Sequence, residues 1–138
     1  MTIMNKTTHT ALKESIKHWE ENVAAKHPNK ANPQSDACAL CTMFSDNLDE
    51  AGQWCTGCPV KARTRRDLCL NTPWLRAEAA WSSWDYSVEG HKSDANQARA
   101  RAVWQTAAQK ELDFLRSLLP KPKMKPRTKS RPKKQTKR

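Results

Sequence analysis

Cys38-Ala39-Leu40-Cys41 and Cys55-Thr56-Gly57-Cys58 stand thirteen residues apart, and no other feature restricts the chain as much. Each C-x2-C turn presents two sulfurs on one side, so two such pairs at this separation can deliver four thiolates to one tetrahedral ion. The spacing therefore predicts a structural metal site. Zn²⁺ suits it, because soft thiolates in a closed four-sulfur cage need neither an open coordination position nor a redox change. Gly57 supports this reading by allowing the positive φ with which the amides of such a turn point at a ligating sulfur.

A fifth cysteine, Cys69, follows Cys58 after ten intervening residues and competes for a place, so the predicted ligands are four of Cys38, Cys41, Cys55, Cys58 and Cys69. An iron–sulfur cluster is the alternative occupant. Cys58-Pro59 bears a faint likeness to a ferredoxin run, although such runs pack their cysteines far more closely. The odd count of five argues against a disulfide framework, as does an N-terminus, Met1-Thr2-Ile3-Met4-Asn5-Lys6, without the apolar stretch of a signal peptide. A thioredoxin-like pair is disfavoured because neither C-x2-C has β-rich flanks.

Charge divides the chain in two. Ten of its 25 Lys and Arg and none of its 14 Asp and Glu lie in residues 121–138, so residues 1–120 are close to neutral. The expected organisation is a domain over 1–120 and a disordered basic tail over 121–138. The tail's Lys121, Lys123, Lys125, Arg127, Lys129, Arg131, Lys133, Lys134, Lys137 and Arg138 are spaced by Pro122, Pro126 and Pro132. With almost nothing apolar to bury, such a segment stays extended and can displace counterions from DNA or RNA phosphates. A solubilising tail, or one directed at an acidic protein surface, is the plainer use of the same residues.

Between these features the apolar residues recur at helical intervals. Leu12, Ile16, Trp19 and Val23 predict a helix over about 9–26 ended by Pro28; His18 and His27 read as solvated rather than as ligands. Pro59 at a first helical position predicts a short helix through Lys61, Arg63, Arg65 and Arg66. Trp74, Ala77, Trp81, Trp84 and Val88 predict another helix, started by Thr72-Pro73 and stopped by Gly90. A long last helix begins at Ser93 or Asp94. Its buried face runs through Trp104, Ala108, Leu112, Leu115 and Leu119 on one edge and Val103, Ala107, Phe114 and Leu118 on the other. The six tryptophans are expected to fill the core rather than to stack on bases. The fold class is all-α: a small three-helix domain with a cysteine-rich metal-binding insertion, its stripes buried against each other or against a second copy.

His18-Trp19-Glu20-Glu21-Asn22, the two C-x2-C pairs, Cys58-Pro59-Val60, Cys69 followed by Thr72-Pro73-Trp74, and Glu111-Leu112 with Phe114-Leu115 together resemble small cysteine-rich proteins of unknown function encoded by tailed bacteriophages. The resemblance covers about 12–120 and excludes the tail. It implies a phage-encoded protein in the cytoplasm of the host bacterium, with Cys69 among the cysteines that act together, and it carries over no catalytic residue. It also implies a glycine soon after Thr64, where this chain has Arg65 and Arg66.

Catalysis finds little support. There is no Gly-rich phosphate loop, no H-E-x2-H and no His-x-Glu ahead of a Pro-Cys-x2-Cys, and a nucleophilic Cys69 has no evident base beside it. No apolar run approaches the length of a membrane span. The reading is a non-catalytic, zinc-stabilised protein that binds a nucleic-acid backbone through its tail. The alternative is an adaptor or inhibitor docking on a host or phage protein, the tail adding only electrostatic attraction.

Overall fold

Asn5 opens the first helix: its side-chain oxygen accepts the Thr8 N–H at 2.8 Å, and helix α1 runs Lys6–Ala24. The cap sits upstream of the apolar stripe, so α1 begins a turn earlier than its hydrophobic period indicates. The computed structural model describes residues 4–34, 38–44, 55, 57–65 and 72–120. Within them all regular structure is helical. Leu12, Ile16 and Trp19 are buried as expected, joined by Ala11, Ser15 and Asn22.

α1 stops before Pro28, which instead starts a 3₁₀ turn, Pro28–Lys30. His27 serves that turn as a cap, its ring accepting the Asn29 N–H at 3.1 Å. Asn22, at 1% exposure, then fastens the segment back onto α1. Its amide donates to the Asn32 carbonyl at 3.2 Å and its oxygen accepts the Asn32 N–H at 2.9 Å. His18 adds a hydrogen bond to the same carbonyl at 2.7 Å.

Two further helices form a hairpin. α4 runs Trp74–Glu89 behind Thr72, whose hydroxyl accepts the Trp74 N–H; α5 runs Asp94–Ser117 behind Ser93, whose hydroxyl accepts the Asn96 N–H. Ser93 rather than Asp94 is therefore the cap. Nor does Gly90 supply the left-handed residue that ends α4. His91 does, at φ 53°, while Lys92 N–H reaches Ser87 O at 2.9 Å in a Schellman-type closure.

The three long helices meet on indoles. Trp104 of α5 lies between Trp19 of α1, with ring centroids 5.9 Å apart, and Trp84 of α4, at 6.3 Å. Its Nε1 donates to Asn22 O at 3.1 Å. Trp74 and Trp81 are half-buried and donate to Pro33 O and Pro28 O, which ties α4 to the segment after α1. Trp54 lies outside the described residues. On α4 the buried line is Ala77, Ala80, Trp84 and Ser87, a part-turn from the expected stripe; on α5, Val103 is 55% exposed and Glu111 is buried in the place expected of an apolar residue.

The cysteine-rich part adds two short helices to this core: α2, Ala39–Phe44, and α3, Pro59–Thr64. Leu40, Phe44, Cys55, Cys58 and Val60 are buried in the same cluster as the indoles. Arg63 clasps the end of α5, donating to Ser117 Oγ at 3.2 Å and Ser117 O at 3.0 Å. Arg65, where the resemblance implies a nearby glycine, takes φ 63° and ends α3 in the left-handed region that glycine favours.

Candidate metal centre

The first pair is placed by α1 and α2. Cys38 precedes the first residue of α2, its carbonyl accepting the Thr42 N–H at 3.0 Å, and Cys41 follows in the first turn. Ser15 of α1, fully buried, holds this end from below: its hydroxyl lies 3.3 Å from Cys38 Sγ and accepts the Leu40 N–H at 3.3 Å. A small hydroxyl in an apolar stripe thus locates a sulfur.

The second pair is a turn followed by α3. Cys58 N–H donates to Cys55 O at 3.0 Å, with Cys55 at φ 66° and Gly57 at φ 95°. A Cβ on Gly57 would come within 3.0 Å of the Phe44 ring, so this glycine is required both by backbone angle and by the approach of α2. Pro59 then starts α3, and the backbone amides of Val60 and Lys61 are directed at the Cys58 sulfur. The Cys41 amide is directed likewise at the Cys38 sulfur. Amides aimed at sulfur stabilise the thiolate, the form in which cysteine ligates a metal.

Each pair couples internally, Cys41 raising the Cys38 value and Cys55 that of Cys58, and Cys38 adds a smaller rise at Cys58. Left to themselves, the Cys38 and Cys58 thiols are hard to ionise. The Cys38 value is raised, first by its hydrogen bond with Cys41 and then by burial, and that of Cys58 is raised chiefly by burial. A bound cation reverses this preference, since it replaces the proton. Among the described residues no cysteine is in a disulfide, and no three His, Cys, Asp or Glu side chains meet at metal-ligand spacing. Cys69 lies outside the described residues.

A carboxyl group absent from the sequence-based site faces this cluster. Glu111 is 4% exposed, its Oε1 has no hydrogen-bond partner, and its pKa is pushed up to about 8, first by burial and then by Cys38. The folded value stands above the ordinary 4.5. Unfolding therefore releases a proton between those two pH values, and the stability present below 4.5 falls as pH rises towards 8. At pH about 7.5 the penalty is on the order of 4 kcal/mol. Glu111→Gln is expected to raise the urea midpoint there and to approach wild type near pH 4.5. Acid loss of any metal affects both proteins, so the difference between their curves isolates Glu111; parallel curves across the range would refute this assignment.

The expected nucleic-acid residues, from Lys121 to Arg138, lie outside the described residues. No helix among the described residues is long and apolar enough to cross a membrane. Nothing among protein-family models, curated proteins or solved structures matches the chain.

Proposed function

We propose that this chain is a non-catalytic, zinc-stabilised protein of a tailed bacteriophage that binds DNA or RNA backbone through residues 121–138 in the host cytoplasm. The observation that carries the reading is the separation of charge: ten cations and no acid follow a nearly neutral helical domain. Such a segment releases condensed counterions on binding and has little reason to read sequence. The sulfur-directed amides at Cys38 and Cys58 support the zinc part, Cys38, Cys41, Cys55 and Cys58 being the candidate ligands and Cys69 the competitor. An adaptor on a host or phage protein is the second reading, supported by an apolar groove between α4 and α5.

Fluorescence anisotropy with labelled duplex DNA and single-stranded RNA over a salt series tests the tail. The full chain is expected to show a slope of log K against log salt steeper than about −4. Removal of residues 121–138 should cut affinity by about 100-fold or more at low salt and flatten that slope. Undiminished, salt-dependent binding by residues 1–120 would overturn the proposal. Native mass spectrometry of untagged protein should find one zinc per chain; iron with sulfide would replace the zinc reading by the cluster.

A further inference from the structure

α5 presents two faces. Trp104, Ala108, Leu112 and Leu115 enter the core, while the adjacent line from Arg99 to Lys110 borders an open groove of about 630 Å³ shared with α4. Ala79, Ala102 and Val103 are among its small apolar lining, and Val103 is 55% exposed there. Arg76, Arg99 and Lys110 supply its charge. No acid lines the groove, and no ion pair engages these three cations among the described residues. The antiparallel course of α4 and α5 sets Arg76 and Lys110 towards one end and Arg99 towards the other.

We infer that this groove docks an acidic amphipathic helix of a partner protein. The stretch from Arg99 to Lys110 spans roughly 16 Å, about three helical turns, which suits apolar anchors at i, i+4 and i+7. Carboxylates flanking such anchors meet cations at both ends of the groove. A second copy of this chain would bring like charges face to face, and a phosphate backbone would leave Val103 uncovered. The groove's lining residues all fall between Pro73 and Lys110, so the inference stands whether or not residues 121–138 bind nucleic acid.

The test uses the full chain and two fluorescein-labelled peptides of Leu and Glu with one composition. One has Leu at i, i+3, i+4 and i+7; the other is scrambled. The tail attracts both equally by charge, so the ratio of their affinities reports the groove. The patterned peptide is expected to bind about tenfold tighter, and Val103→Glu should reduce that preference to within about threefold. Arg76→Glu with Lys110→Glu, changing only exposed rim residues, should weaken the patterned peptide more than the scrambled one and serves if Val103→Glu fails to fold. Equal binding of the two peptides, or a preference that survives both variants, overturns the inference. So does a dimer in sedimentation equilibrium that Val103→Glu dissociates, since a second copy would then be the occupant.

Discussion

Trp104→Ala is expected to destabilise the protein by about 4 kcal/mol or more, among the largest effects a single side chain here can produce. Trp104 has no exposed surface and lies between Trp19 and Trp84, its ring tilted 35° to the first and 24° to the second. Truncation removes the transfer contribution of the indole, leaves a cavity between three helices, and takes a donor from the Asn22 carbonyl. That carbonyl is a junction, because it also ends α1 by accepting the Ala25 N–H at 3.3 Å. Trp104→Phe separates the contributions: it keeps much of the apolar area and loses the hydrogen bond, for a cost of about 1–2 kcal/mol beyond repacking. Urea unfolding at one pH gives both numbers. Tyr86→Ala, at a residue 67% exposed, provides the contrast and should change stability by no more than about 0.5 kcal/mol. If Trp104→Ala matched Tyr86→Ala, the indole cluster would not be the core.

The three long helices were legible because their apolar residues recur at intervals of three and four, and because Thr72 and Ser93 act locally at the starts of two of them. What periodicity could not supply is the rotation of a helix about its axis. Trp74, Trp81 and Trp84 make a persuasive stripe on α4, yet Trp74 and Trp81 satisfy their N–H groups at the margin, on Pro33 O and Pro28 O, and the fully buried line shifts to Ala77, Ala80 and Trp84. An indole with a polar end settles where a carbonyl is in reach, which apolar counting ignores.

The site divides in the same way. The cysteine pairs and Gly57 stood out by spacing, because a metal of the proposed kind would need several donors at fixed reach. Ser15 and Glu111 did not, since each is one polar residue inside an otherwise apolar helical face. A Ser or Glu there reads as a flaw in the stripe until the tertiary fold sets it beside Cys38. Their polarity inside the buried stripes of α1 and α5 was the available signal. The docking groove was hidden for the opposite reason: Val103 fits the apolar period of α5, and only the course of the neighbouring helix decides that it stays outside.

If the proposed metal is bound, Cys58→Ser is expected to lower the thermal midpoint by about 10–20 °C, corresponding to a loss of some 2–3 kcal/mol in a domain of this size. α2 and α3 have six residues each, too short to persist without tertiary support. Without a cation, the half-buried Cys38 and the buried Cys58 are thiols whose aimed amides stabilise nothing charged. The indole stack of Trp19, Trp84 and Trp104, however, is built from α1, α4 and α5, and its Trp104 N–H bonds to Asn22 O of α1. Cys58→Ser should therefore speed amide exchange across 38–65 while near-ultraviolet circular dichroism at 25 °C keeps the signal of packed tryptophans. Chelation of wild type should do the same, and more readily as pH falls, because protons compete with the metal for sulfur. A variant that binds no metal yet melts with wild type would remove the structural centre. If the tryptophan signal collapses together with the 38–65 segment, the centre instead governs the whole fold, through Leu40, Phe44 and Val60, which share one core with the indoles.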